Sequence, residues 1–215
     1  MTDLNDTILS PMDDPLPEDL KRCVAFHGHL CPGLVYGYLV AKEAARLLHL
    51  HRSKDEEIVV ISENDTCAVD ALQVLLGATI GKGNLILRDY GKNVFTVLNR
   101  ADKRALRFSR RSHYAYEGEH REEFARLEAA LSESRATADE RLRQKRLKAL
   151  DLVSKPFDTV FNTEAVTCPE PPYAPLAPSE ACTVCGEMTM ATKMIDTEDG
   201  KRLCMPCAQK KGISL

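Results

Sequence analysis

Phe26-His27-Gly28-His29-Leu30-Cys31-Pro32-Gly33 gathers two imidazoles and a thiol within five residues and runs directly into the apolar stretch Leu34 to Leu50. Pro32 suits the first position of a helix, where a missing N–H costs nothing, so a helix is expected to open here with Cys31 at its N-terminus. The unpaired N–H groups and the positive end of the helix dipole favour a thiolate at that position. This predicts a lowered thiol pKa and a better nucleophile or metal ligand. Beyond it, Leu34, Tyr38, Ala41, Ala45 and Leu48 recur at helical spacing, and Leu34 to Ala41 carries no charge. A helix apolar on every side is a buried one, so Cys31 should lie at the edge of a core.

At 215 residues the chain has room for one main domain and a small appendage. Hydrophobic residues at 44%, charged residues at 28% and a net charge of −3 describe an ordinary globular protein with no need of a nucleic-acid partner. The first twenty residues are acidic and proline-containing, without a basic or an apolar segment, so no secretory signal is expected. No apolar run approaches the roughly 20 residues that span a bilayer. A cytoplasmic location is the expectation. The eight cysteines agree with it, since four fall in metal-type pairs and the rest are spread too unevenly for a secreted disulfide framework.

Along the chain, Met1 to Leu16 reads as a loose lead-in, Glu18 to Phe26 as a short helix and His51 to Glu57 as a turn. Ile58-Val59-Val60-Ile61 has the β-branched composition of a buried strand. It ends at Glu63-Asn64-Asp65-Thr66-Cys67, where Asp65 or Thr66 is expected to cap a helix over Ala68 to Leu76. A second cysteine thus stands at a helix N-terminus after a strand, where α/β folds commonly place functional groups. Asp70, three residues on, shares its helical face. Gly77, Gly81 and Gly83 break the helix around Lys82, and Asn84 to Leu87 is expected to pair with Asn93 to Val97 as a hairpin across Arg88 to Gly91. The fold class is therefore α+β, a mixed core with a β-hairpin and long helices.

Arg100, Lys103, Arg104, Arg107, Arg110 and Arg111 form a basic run, read as a solvated face or as ion-pair partners for the acidic segment that follows. Glu117 to Leu131 and Ala138 to Leu150 read as charged helices, Pro156 stops the second, and Thr159-Val160-Phe161 starts another strand. The expected domains are a core over 1–167, a stiff proline-rich linker over 168–179 and a small unit over 180–215. In that unit Cys182-x-x-Cys185 and Cys204-x-x-Cys207 are separated by 18 residues. Two such knuckles bring four thiolates to a tetrahedral metal, so a structural zinc ribbon is expected, with Gly186 suiting the turn after the second ligand. With few apolar residues, the unit should fold only with its metal.

Three motifs occur in order: His27-Gly28-His29-Leu30-Cys31-Pro32-Gly33-Leu34, then Glu63-Asn64-Asp65-Thr66-Cys67-Ala68-Val69-Asp70-Ala71, then Gly81-Lys82-Gly83-Asn84-Leu85. In them the chain resembles the FmdE family, proteins similar to the FmdE component of formylmethanofuran dehydrogenase, and Cys182 to Glu187 resembles the zinc ribbon many members carry. The resemblance runs from about Asp19 to the C-terminus. It implies an α+β domain that pairs into a homodimer, with His27, Cys31 and Cys67 converging on a metal-binding or catalytic cavity. Many relatives have Arg where this chain has Leu39, and a further Cys where it has Ala78. In methanogens the FmdE component accompanies an enzyme whose molybdenum or tungsten pterin interconverts carbon dioxide and a formyl carrier. This chain lacks the cysteine clusters of an iron–sulfur protein, so the expectation is an accessory or stand-alone metalloprotein.

The leading expectation is that His27, Cys31 and Cys67 bind one transition metal, zinc or iron, with an open position for a small ligand. His29 is a further candidate ligand, Asp70 a group that orients a ligand, and Lys82 a balance for thiolate charge. Cys23 and Cys168 read as ordinary thiols, and His49, His51, His113 and His120 as surface residues. Other readings stand beside this one. The chain is a non-catalytic partner of a molybdenum or tungsten oxidoreductase, or a metal-free thiol enzyme acting on a small molecule, with Cys31 or Cys67 attacking and His27 as base. In a further reading, the ribbon and basic run make a nucleic-acid or protein interaction module.

Overall fold

Two helices bracket the His27–Cys31 stretch. The first, α1 (Glu18–His27), ends at Gly28, whose φ of 94° lies in the left-handed region open to glycine, and the Gly28 N–H closes the last turn on Val24 O at 2.7 Å. The second, α2 (Pro32–Leu47), has Pro32 at its first position and Cys31 as its N-cap, with Cys31 Sγ accepting the Leu34 N–H at 3.4 Å. Every residue from Leu34 to Ala41 is buried, as the absence of charge predicts. Full burial of a side chain such as Leu34 or Val40 is worth about 1.5–3 kcal/mol.

The structure, a computed structural model, describes residues 16–112 and 114–213. The expected lead-in, Leu16 apart, and His113 lie outside the described residues. Two units result, one ending at Pro171 and one beginning at Pro172. The first continues with β1 (Ile58–Ser62), α3 (Ala68–Leu76), β2 (Leu85–Leu87), β3 (Val94–Asn99), β4 (Ala105–Arg110), α4 (Arg121–Ser132), α5 (Ala138–Ser154), the single-turn α6 (Phe157–Val160) and β5 (Phe161–Val166). It is an α+β unit with a five-stranded sheet in the order β2-β1-β3-β4-β5.

All five residues of β1 are buried. Successive side chains alternate across a strand, so Ile58 and Val60 join Phe95, Val97, Phe108 and Phe161 against the helices, while Val59 and Ile61 join Leu98 and Ala105 on the other face. A strand buried on both faces belongs inside a sheet. This overturns the expected hairpin of Asn84–Leu87 with Asn93–Val97: β1 lies between the two, parallel to β2 and antiparallel to β3. The hairpin is instead β3–β4, closed through Lys103 at φ 58°.

The basic run is therefore a turn and a strand. Arg100 pairs with Glu170 at 2.7 Å and reaches Glu56 at 3.8 Å, and Arg107 pairs with Glu63 at 3.1 Å. Those partners replace the acidic segment expected from sequence, whose Glu123 and Glu140 pair with Arg143 and Arg126 across the α4–α5 hairpin.

Helices α2 and α3 cross where Gly37 meets Ala68. A Cβ at Gly37 would stand 1.9 Å from the Ala68 carbonyl oxygen, so only glycine permits this approach.

The second unit contains two antiparallel pairs, β6 (Ser179–Ala181) with β7 (Met188–Met190) and β8 (Met194–Asp196) with β9 (Arg202–Cys204), then α7 (Met205–Lys210). Its buried cluster is Cys182, Leu203, Cys204, Cys207 and Ala208, so thiols make up most of what a core would supply. Among the described residues no helix is long and apolar enough to cross a membrane.

Candidate metal centre

His27 comes from the last turn of α1, Cys31 from the N-cap of α2 and Cys67 from the N-cap position of α3. Their ligand atoms all lie within 4.8 Å of one another. His27 Nε2 stands 3.7 Å from Cys31 Sγ. An imidazole nitrogen and a thiolate sharing a tetrahedral metal at ordinary bond lengths stand about 3.6 Å apart, so the spacing suits such a pair.

Asp70, one turn along α3 from Cys67, holds the ring. His27 Nδ1 donates to Asp70 Oδ2 at 2.7 Å, which in the neutral imidazole leaves Nε2 as an acceptor facing Cys31 Sγ. Gln73 Nε2 donates to the other carboxylate oxygen at 3.3 Å. Sequence reading passed over Gln73; its signal was the i, i+3 spacing from Asp70.

The expected capping of α3 by Asp65 or Thr66 is not what forms. Asn64 Oδ1 accepts from the Thr66 N–H at 3.1 Å and from the Thr66 hydroxyl at 2.7 Å, while Asn64 Nδ2 donates to Lys92 O at 2.6 Å. Thr66 is thus committed to the turn, and α3 starts without a side-chain cap. The expected lowering of the Cys31 pKa is also reversed. Burial pushes this thiol up and the neighbouring Cys67 adds to it, which together outweigh the Leu34 N–H that favours the thiolate.

His29 is exposed and outside the three-residue group, its ring centroid 4.6 Å from that of His27. Partial burial, then the charge of His27, lowers its pKa. Lys82 is not brought to the thiols: its Nζ donates to the carbonyls of Ser53 at 3.3 Å and Lys54 at 3.4 Å. Cys23 is fully buried, and burial raises its thiol to about 11. Leu39 and Ala78 are both buried in the core.

His27, Cys67 and Asp70 line an open depression of about 390 Å³, with Ile80 and Leu87 at its apolar side. The donor set of one imidazole and two thiols suits zinc or ferrous iron, and three protein ligands leave a coordination position free.

In the second unit, Cys182, Cys185, Cys204 and Cys207 also lie within 4.8 Å of one another. Cys185 and Cys204 Sγ are 3.8 Å apart, the separation of two thiolates on one tetrahedral zinc. Gly186, at φ 76°, lets its N–H turn back to Cys182 O at 2.8 Å. Backbone N–H groups of Cys185, Cys204 and Val184 pull the Cys182 thiol down to about 6, while hydrogen bonding with Cys204 pushes the Cys207 thiol up.

A family model described as FmdE, molybdenum formylmethanofuran dehydrogenase operon, matches residues 26–162. A probable S-adenosyl-L-methionine-binding protein of Archaeoglobus fulgidus is 28% identical over 199 residues, 88% of this chain and 52% of that protein. The chain thus spans about half the length of that curated relative. The crystal structure of a tungsten formylmethanofuran dehydrogenase FmdE-like protein from Syntrophus aciditrophicus superposes with a TM-score of 0.56 at 20% identity, covering 92% of this chain and 94% of that one. At that identity the likeness speaks for the fold. The family match is longer than any motif, taking in α2, the crossing at Gly37, all three candidate ligands and most of the sheet, and by it the chain belongs to the FmdE family.

Proposed function

We propose that His27, Cys31 and Cys67 hold one transition metal, zinc or iron, and that the chain serves as an FmdE-like accessory metalloprotein of molybdenum- or tungsten-dependent one-carbon or formate metabolism. The observation that carries the reading is convergence. Three ligand atoms from three separate helix ends meet within 4.8 Å, and a carboxylate fixes the imidazole tautomer that leaves Nε2 for a metal. A bound metal would supply Lewis-acid or redox chemistry at this site. Asp70 holds the His27 ring and its Nδ1 proton in place, and Ile80 and Leu87 keep one side of the depression apolar.

The ribbon cysteines hold a structural zinc in this reading, and the protein is a cytoplasmic homodimer. The exposed Phe26, Ile80 and Leu87, two of them beside the site, support coverage by a second copy. The association with a pterin oxidoreductase rests on the family alone. A metal-free thiol enzyme attacking through Cys31 is less favoured, because that thiol is buried and its pKa raised.

The test is metal content by inductively coupled plasma mass spectrometry, on protein purified without added metal or chelator and again after reconstitution. Two metals per chain are expected, falling to one in Cys67→Ser with circular dichroism and ribbon zinc retained. One metal in both proteins after reconstitution, or equal loss of both metals in the variant, overturns the reading. Co-purification with a pterin enzyme tests the accessory role separately.

A further inference from the structure

The first unit holds another cavity, of about 170 Å³, that shares no lining residue with the metal-ligand group or its depression. Tyr36, Arg110, Arg111, Tyr114, Glu117 and Lys155 are the charged and aromatic residues around it. One cation is already engaged: Lys155 Nζ lies 2.6 Å from Glu117 Oε2 and 3.6 Å from Asp151 Oδ2. Asp151 also accepts the Tyr114 hydroxyl at 2.7 Å and the Glu117 N–H at 3.0 Å, which closes that network on itself.

The two arginines stand apart from it. Arg110 places its guanidinium 4.9 Å from the centroid of the Tyr36 ring, and Arg111 Nε donates to the Asp158 carbonyl at 2.7 Å. Among the described residues neither guanidinium has a carboxylate partner, and the Tyr36 hydroxyl makes no hydrogen bond to protein. Two adjacent guanidinium forks at a concave wall, with a free phenol, keep donors that meet no carboxylate among the described residues. Planar guanidinium groups match the oxygens of phosphate and carboxylate, and two fixed positive charges favour a dianion over a monoanion. The cavity has room for an oxyanion of five heavy atoms.

We propose that this cavity binds a small dianionic oxyanion of phosphate size, held by Arg110 and Arg111 with the Tyr36 hydroxyl as a third donor. The site uses no metal ligand and stands independently of the metal reading.

Calorimetric titration of the full chain with inorganic phosphate, at constant ionic strength set with chloride, tests it. Saturable binding of one phosphate per chain is expected, weakened at least tenfold in Arg110→Gln and in Arg111→Gln, with formate at least tenfold weaker than phosphate. Arg111 is exposed, so its variant keeps the test decisive even where Arg110→Gln disturbs the packing on Tyr36. No saturable phosphate binding, phosphate affinity unchanged in Arg111→Gln, or formate binding as tight as phosphate overturns the proposal.

Discussion

A single methyl group at position 37 should disable the proposed three-residue metal centre without touching any of its ligands. In Gly37→Ala the new Cβ would stand 1.9 Å from the Ala68 carbonyl oxygen, 2.6 Å from its carbon and 2.8 Å from its Cα, whereas ordinary contact begins at 3.4 Å. The obstacle is the backbone of a packed helix, so no rotamer change relieves it, and the start of α3 must retreat by about 1.5 Å. Overpacking of this kind costs about 1–3 kcal/mol. Alanine returns about 1 kcal/mol through its helix propensity, so a net loss of up to about 2 kcal/mol is expected. For a chain of this size that lowers Tm by up to about 8 °C. The effect on the site is larger in proportion. Cys67 directly precedes Ala68 and moves with it, while metal–ligand distances tolerate changes of only about 0.2 Å. Metal analysis should find the ribbon metal kept and the core metal lost, and cobalt titration should show thiolate charge-transfer absorption from one site in place of two. A variant that melts within about a degree of the parent and keeps both metals would refute the account of the crossing.

Asp70→Asn should weaken core metal binding about 10–100-fold in a competitive chelator titration while circular dichroism stays the same, since the carboxylate acts through His27; unaltered affinity would remove its orienting role. Cys185→Ser, or a strong chelator, should unfold the second unit, seen as loss of its dispersed NMR signals, with the first unit's Tm within about a degree of its starting value; retention of those signals would mean that the ribbon does not depend on metal. Burial acts to raise the Asp19 pKa, but hydrogen bonds from Lys42 and Tyr38 outweigh it, and the folded value lies below the usual 3.8. A depressed carboxylate stabilises above its unfolded pKa and loses that contribution as pH falls through the folded value. The stability gap between the parent and Asp19→Asn should therefore narrow below about pH 4, and a gap constant down to pH 2 would contradict it. Tyr38→Phe removes a 3.1 Å hydrogen bond to this carboxylate and should cost about 1–2 kcal/mol in urea unfolding at pH 7, an effect near zero counting against it.

The sequence made the ends of the helices easy to read, because they are marked locally. Pro32 announces α2 with Cys31 before it, and the β-branched run followed by Ala68–Leu76 sets Cys67 at a strand-to-helix turn. Competition over distance was hidden. Asn64 takes Thr66 away from capping by bridging to Lys92, 28 residues on. Adjacency in sequence favoured pairing β2 with β3, although the unbroken apolar run of β1 was itself a sign of a central strand. The thiol argument rested on the helix end alone, and burial beside a second thiol reversed it. Gly37, a glycine inside the uncharged first half of α2, was a legible sign of close backbone approach.

The parallel pairing of β1 with β2 sets an order of assembly. Parallel neighbours cannot be joined by a tight turn, so the connection from Ser62 to Leu85 must carry α3 across the sheet before β2 can seat. Cys67 reaches its place when α3 docks on α2 at Gly37, whereas His27 and Cys31 are only four residues apart and meet as soon as α1 and α2 form. A nascent chain released only as far as β1 thus offers two of the three proposed ligands, and one released past α3 offers all of them. On the metal reading proposed above, loading of the core site would report that α3 has docked on α2.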